Sequence, residues 1–343
     1  MRLISFEEYL EKERHLPLLD VRSPGEYAKG HVPDALNLPL FDDEERAEVG
    51  TLYKQKGSQA ALMRGLDIAG AKMTGYVSQA QRLVKGNAVA VHCWRGGRRS
   101  SSIATLLEFM GYETALLKGG YKAYRQLALK SFFDKKLHLI VLGGATGSGK
   151  TETLRYLRAA GEQVVDLEGL ARHKGSAFGA LGQHPQPTVE QFENDLFEQF
   201  RQLNPAKRTW VENESKSIGR VFIPEGFWQQ MNSAVFIEME LPFQVRLQRL
   251  VEEYGEFSKE ELLTSLHKIS KRLGGLHVKN ATAAFSAGEV ENAASIVLNY
   301  YDKAYRHATQ KKPFIKKHTL QPECHLPEKM ARQLIQFADD NDY

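Results

Sequence analysis

A chain of 343 residues is long enough for two domains of ordinary size, each with its own core. Its 42% hydrophobic and 26% charged residues are those of a globular protein, and no apolar run approaches the roughly 20 residues of a membrane span. A net charge of +4 does not by itself point to a nucleic-acid partner. Two cysteines cannot build a disulfide framework and the first residues show no signal-peptide core, so the expected compartment is the reducing cytoplasm.

In chain order, short apolar runs at 16–21, 35–38 and 88–92 read as strands. Residues 100–110 place Ile103, Leu106, Leu107 and Met110 at helical spacing, with Gly111 as the stop. A strand at 114–117 precedes Gly119-Gly120 and another helix. This alternation predicts an α/β layer with a largely parallel sheet over 1–130. The charged Asp134-Lys135-Lys136 marks a linker over 131–136. Strand signals restart at 137–142, 163–167, 208–211 and 234–239, giving a second α/β domain over 137–320. Its last part is helical, with Val290, Ala293, Val297, Leu298, Tyr301 and Tyr305 on one stripe of 289–306 and Pro313 beyond it. Residues 321–343 are expected to add a helix over 328–339 and a loose tail.

The most informative segment is 89–100, where an apolar strand runs into Cys93, Arg95, Gly96, Gly97, Arg98, Arg99 and Ser100 ahead of a helix. A strand–loop–helix turn directs backbone N–H groups and the positive helix end into one small space. A cysteine there is activated as a nucleophile and faces an anion cradle made by the arginines and the glycine amides. Cys324, beside Pro322 and His325, has no such setting.

A second motif follows at 137–151. Gly144 to Thr151 fits G-x-x-x-x-G-K-[ST], between an apolar strand and a helix. Gly144, Gly147, Ser148 and Gly149 allow backbone amides to wrap phosphate oxygens; Lys150 adds charge, and the Thr151 hydroxyl can meet a metal ion such as Mg²⁺. A second acidic residue at a strand end would complete such a site, and the candidates are Asp166, Glu212 and Glu214. Arg172 and Lys174, in Arg-His-Lys-Gly-Ser, are candidates to face the same phosphate, and Lys216 and Arg220 are placed with them. Residues 264–318 hold 10 Lys/Arg against 3 Asp/Glu. They include Lys268, Lys271, Arg272, Lys279, Lys303, Arg306, Lys311, Lys312, Lys316 and Lys317, which form either a solvated face or a polyanion-binding one.

Asp20-Val21-Arg22, Gly30-His31-Val32-Pro33-Asp34-Ala35 and Leu117-Lys118-Gly119-Gly120-Tyr121 resemble the rhodanese signature over roughly 1–128. The resemblance places the active cysteine at Cys93, able to carry sulfur or selenium, with Asp20 and Arg22 shaping its loop. The loop departs from simple rhodaneses by one residue, since His92-Cys93-x5-Arg99-Ser100 also fits cysteine phosphatases. A rhodanese-like parallel-sheet domain followed by a P-loop NTPase-like α/β domain with a helical C-terminal region resembles the tRNA 2-selenouridine synthase family. His173-Lys174-Gly175-Ser176-x-Phe178-Gly179 and Glu212-Asn213-Glu214-Ser215-x-x-Ile218-Gly219 carry the likeness further.

That resemblance implies replacement of the sulfur of wobble 2-thiouridine in tRNA by selenium, through an S-geranylated intermediate. Its co-substrates would be selenophosphate, delivered by a supplying enzyme, and geranyl diphosphate, with no tightly bound cofactor. Cys93 would handle selenium and the P-loop the diphosphate. Lys174, Lys216 and the basic stretch would hold the tRNA backbone, and Trp94, Phe178 or Trp228 could stack on a base or line a prenyl pocket, although core packing is the blander role for each. The competing expectation is a sulfurtransferase or cysteine phosphatase coupled to an ATP-dependent kinase-like domain.

Overall fold

The computed structural model describes residues 1–343. The chain divides into two compact units, Met1–Ser131 with Glu193–Asp195, and Phe132–Phe192 with Leu196–Tyr343.

In the first unit, β1 (Arg2–Ile4), β2 (Leu18–Asp20), β3 (Leu36–Asn37), β4 (Ala88–His92) and β5 (Glu113–Leu117) form one sheet. Its order is β1-β5-β4-β2-β3, and all neighbours are parallel. Central β4 is an unbroken apolar run because both its faces are covered: Val89, Ala90 and Val91 are fully buried. The helix Arg98–Phe109 follows, and its Ile103, Ala104 and Leu107 join Leu19, Val21, Val89 and Val91 in the core.

Two elements of this unit had no clear sequence signal. β1 is an edge strand of three residues in which only Ile4 is buried, too short to alternate visibly. Asp43–Leu83 is a helical stretch opened by an Asp42–Glu45 capping box and kinked at Gly57, where φ is 85°. Only Ala61, Ile68, Tyr76 and Ala80 of it are buried, so its apolar period is weak.

The second unit is built on β6 (His138–Gly143), β7 (Gln163–Val165) and β8 (Arg208–Glu212). A short antiparallel pair, β9 (Ser217–Ile218) with β10 (Val221–Phe222), precedes β11 (Val235–Met239) and β12 (Lys316–Leu320). The main sheet has the order β12-β11-β6-β8-β7, again all parallel. β12 had no strand signal in the sequence, which grouped Lys316 and Lys317 only with a basic stretch. Both lysines are exposed on an edge strand, where charged side chains guard against further pairing.

The linker also differs from the expected one. The helix Gly120–Asp134 runs through most of the expected linker, leaving a joint of about three residues before β6. The C-terminal helix expected at 328–339 is Pro327–Asp340, and it packs Met330, Ala331 and Leu334 against Leu154 and Leu157 of the helix Lys150–Ala159. A separate helical cluster, formed by Lys259–Lys268, Gly275–Ala287 and Val290–Gln310, buries Leu262, Leu266, Phe285 and Val297 together with Phe178.

Candidate functional site

Both chemical motifs lie at the carboxyl end of a central parallel strand, where α/β sheets place their ligands. In the first unit, Cys93 follows β4 directly and is buried. The Gly97 N–H donates to its Sγ at 3.3 Å, and Ser100 Oγ lies 3.2 Å from the same sulfur. Gly97 is also the N-cap of the next helix, so the loop and the helix end converge on Sγ.

The segment after β5 fixes this loop. Tyr121 N–H donates to Cys93 O at 2.8 Å and Lys122 N–H to Trp94 O at 2.9 Å. At Gly120, with φ of +60°, a Cβ would stand 2.3 Å from Cys93 O, so only glycine permits this approach. Beneath the loop, the Arg22 guanidinium grips Asp20 with Nε at 2.9 Å and Nη2 at 2.5 Å and lies 3.8 Å over the Tyr121 ring. Burial penalises the Asp20 charge, but the interactions with His92 and Arg22 outweigh it, and the carboxyl sits below its usual range. Burial in turn pushes His92 down, against the pull of Asp20. Asp20 and Arg22 thus bear on the loop through Tyr121 and His92 rather than by touching Cys93.

The three arginines divide. Arg95 and Arg98 are exposed beside the loop, whereas Arg99 turns away to Glu26 with two contacts at 2.5 and 3.2 Å. The expectation that Arg99 lines the anion cradle is therefore corrected. The Glu26 carboxylate is fixed for this role, because it also accepts Ser23 N–H at 3.2 Å.

In the second unit the phosphate loop follows β6, and Lys150 Nζ donates to Gly144 O at 2.9 Å. Thr151 Oγ1 donates to Glu168 Oε2 at 2.9 Å. Ser148 Oγ is buried with no hydrogen-bond partner. Arg246 binds both oxygens of Asp302 at 2.8 and 2.7 Å and also reaches Thr146 O at 3.0 Å, clamping the loop from below. Tyr305 accepts the Gly144 N–H at 2.8 Å. A Cβ on Gly149 would stand 2.4 Å from Arg249 Nη1, a buried donor without a partner.

An acidic group faces this loop from β7 and β8. Glu212, at the end of β8, accepts the Glu168 N–H at 2.6 Å through one oxygen, while the other has no partner. Burial, then the Asp166 and Glu168 charges, push Glu212 well above the usual carboxylate range. Glu214 is pushed up to about 8 by burial and by Glu168. Asp166 is turned to local work, capping the helix Leu167–Ala171 through Gly169 N–H at 2.7 Å. No group of three His, Cys, Asp or Glu side chains forms a metal cage from protein ligands alone.

Other candidates spread apart. Arg172 is a helix C-cap with its guanidinium on Pro185 O at 3.3 Å. Lys174 pairs with Glu253, and Lys216 with Glu225. Lys268, Lys271, Arg272, Lys279 and Lys311 are exposed. Lys312 is the exception, and its place on a tRNA face is corrected. Its ammonium turns inward to Asn213 Oδ1 and Glu214 O, both at 2.6 Å, and lies 4.7 Å over the Trp228 ring. Burial pushes Lys312 down to about 8. Phe178 is core.

Sequence reasoning missed Glu168, Arg246, Arg249 and Asp302. Glu168 had a signal, standing two residues beyond Asp166 after an apolar strand. Arg246 and Arg249 reach the loop from a distant helix and Asp302 holds Arg246 from another, and none of the three had a signal.

A family model described as the tRNA 2-selenouridine synthase AAA domain matches residues 137–320, and a rhodanese-like domain model matches 5–127. Curated proteins named tRNA 2-selenouridine synthase from Salmonella newport (strain SL254) and Salmonella heidelberg (strain SL476) are each 35% identical, covering 86% of this chain and 90% of the relative. The similarity thus runs through both units and both motifs, and the chain belongs to the tRNA 2-selenouridine synthase family.

Proposed function

We propose that this chain converts wobble 2-thiouridine of tRNA into 2-selenouridine in two steps, the first at the phosphate loop and the second at Cys93. In the first, the base sulfur attacks C1 of geranyl diphosphate. An S–C bond forms, the C–O bond breaks, diphosphate leaves and the base gives up its N3 proton. In the second, the selenium of selenophosphate attacks C2 of the base. The C2–S bond breaks, geranyl thiol leaves after taking up a proton, and water cleaves the Se–P bond to release phosphate. Alkylation serves this exchange because a thiocarbonyl sulfur is a poor leaving group and a thiol is a better one.

The observation that carries this reading is the pairing, on one chain, of a complete phosphate loop with a cysteine whose Sγ receives Gly97 N–H at 3.3 Å. Diphosphate release asks for stabilised negative charge, which the loop amides, Lys150 and the unpartnered Arg249 Nη1 supply. A small apolar hollow of about 40 Å³, lined by Thr146, Phe178, Tyr254, Phe285 and Tyr301, adjoins the loop. The unpartnered oxygen of Glu212 and the Thr151–Glu168 contact fit Mg²⁺, which Thr151 and Glu168 would hold. The ion would neutralise the departing diphosphate.

At Cys93, the loop amides with Arg95 and Arg98 would hold the phosphate end of selenophosphate while Sγ faces selenium. The Arg99–Glu26 pair speaks against a cysteine phosphatase, whose loop arginine must face the phosphate. The exposed cations of 264–318 would follow the tRNA backbone. A cytoplasmic enzyme of this kind depends on a separate source of selenophosphate. Incubation with 2-thiouridine RNA, geranyl diphosphate and Mg²⁺, followed by mass spectrometry of nucleosides, should give S-geranyl-2-thiouridine, and 2-selenouridine once selenophosphate is added. Selenouridine formed without any geranylated species, or only with ATP, would contradict the reading.

A further inference from the structure

Within the first unit the stretch Asp43–Leu83 roofs a cavity of about 580 Å³, well inside the ~300–1,000 Å³ range of small-molecule sites. Its walls are apolar, yet the large side chains on the roof are not core. Tyr53, Leu62, Leu66 and Met73 are 62, 38, 55 and 48% exposed. Apolar side chains lining a hollow without filling it mark a ligand site more often than a packing fault.

The cavity belongs to the Cys93 end of the unit. Leu40, Phe41, Tyr76 and Ile103 line it and pack in the same apolar cluster as Cys93. Its opposite wall is Arg98, Arg99, Ser102, Ile103 and Leu106, the helix whose N-cap amide donates to Cys93 Sγ. A second cavity of about 560 Å³ shares Phe41, Val49, Tyr53, Ala61 and Arg99 with it and adds Arg46 and Lys54. Arg46 and Arg99 share the one Glu26 carboxylate, so with Lys54 this second chamber keeps a net positive rim, and an apolar chamber beside it suits a hydrocarbon chain attached to an anion.

We propose that this cavity seats the prenyl chain carried on the sulfur of the RNA base, holding the leaving group of the second step beside Cys93. The inference rests on the geranylated intermediate proposed above. Recognising the chain at the selenium site explains how the unit separates alkylated from free 2-thiouridine. Free thiouridine leaves the cavity empty and keeps its sulfur.

Gly70 provides the test, because it lines the cavity and a Cβ there meets no atom within 4 Å. Gly70→Phe fills the hollow from a helical position that tolerates a side chain. Leu66→Glu, at an already exposed residue, charges the wall without touching the core. Full-length proteins would be assayed for binding of RNA carrying S-geranyl or S-methyl 2-thiouridine, for selenation of S-geranyl RNA, and for prenylation of 2-thiouridine RNA. The unaltered chain should bind S-geranyl RNA at least ~10-fold more tightly than S-methyl RNA. Both variants should lose that preference and the selenation step while still prenylating. Equal affinity and selenation in both variants would overturn the cavity assignment. Loss of prenylation with selenation kept would also overturn it, giving the cavity to the free diphosphate donor. An unaltered chain that selenates 2-thiouridine RNA but not S-geranyl RNA would instead overturn the geranylated intermediate itself.

Discussion

Glu214 and Lys312 show how the phosphate site sets charge against burial residue by residue. Glu214, raised to about 8, keeps its proton in the folded chain at pH values where the unfolded chain has lost it. Stability is therefore lost as pH climbs from the ordinary carboxylate range towards 8. Lys312, lowered to about 8, acts in the window above, where the unfolded chain holds the extra proton and stability rises with pH. The two groups also face each other, so the Lys312 ammonium holds Glu214 lower than burial alone would. Glu214→Gln should melt a few degrees above the unaltered chain at pH 8 and coincide with it near pH 4. An equal shift at both pH values in a calorimetric scan would contradict this assignment. At this scale the sequence was legible where a motif ties residue type to position, as for Cys93, Lys150 and Thr151. It was not legible where function comes from a side chain arriving from another helix. Arg246 and Asp302 are 56 positions apart and meet under Thr146. Arg99 misled because the motif predicts its place in the loop but not the competing carboxylate of Glu26, 73 positions earlier.

At the scale of elements, the Cys93 loop depends on Gly120 as much as on its own residues. A Cβ at Gly120 would meet Cys93 O at 2.3 Å from a φ of +60°. Left-handed strain alone costs about 1–2 kcal/mol, and the clash adds to it. Gly120→Ala should thus destabilise the first unit by about 2 kcal/mol or more in denaturant unfolding and abolish selenation. A variant of unchanged stability and activity would show that the loop is not held this way. The strands were the legible elements, because a parallel sheet covered on both faces needs unbroken apolar runs, as in β4 and β6. Asp43–Leu83 was illegible for the opposite reason. Gly50, Gly57, Gly65, Gly70 and Gly75 interrupt it, and much of its apolar surface faces a cavity rather than a core. β12 was hidden because an edge strand carries lysines where a central strand carries valines.

For the molecule as a whole, each unit has its own parallel sheet and apolar core, which matches the two steps proposed above. The cations of 264–318 are less uniform than their count suggests. Lys312 serves Asn213 and Glu214, and Lys317 reaches Thr309 O, while Lys268, Lys271, Arg272, Lys279, Lys303, Arg306 and Lys311 remain exposed. If these exposed groups follow the RNA backbone, log affinity should fall linearly with log salt, and removing Lys271 and Arg272 together should flatten the slope by about 1–2. An unchanged slope in a fluorescence-anisotropy titration would place the RNA elsewhere. The division of labour itself is tested most directly by single-turnover nucleoside mass spectrometry on Cys93→Ala and Lys150→Ala, supplied with 2-thiouridine RNA, geranyl diphosphate and selenophosphate. Cys93→Ala should accumulate S-geranyl-2-thiouridine without selenouridine, and Lys150→Ala should form neither from 2-thiouridine yet selenate RNA supplied already geranylated. Loss of both steps in each folded variant would contradict two separate sites.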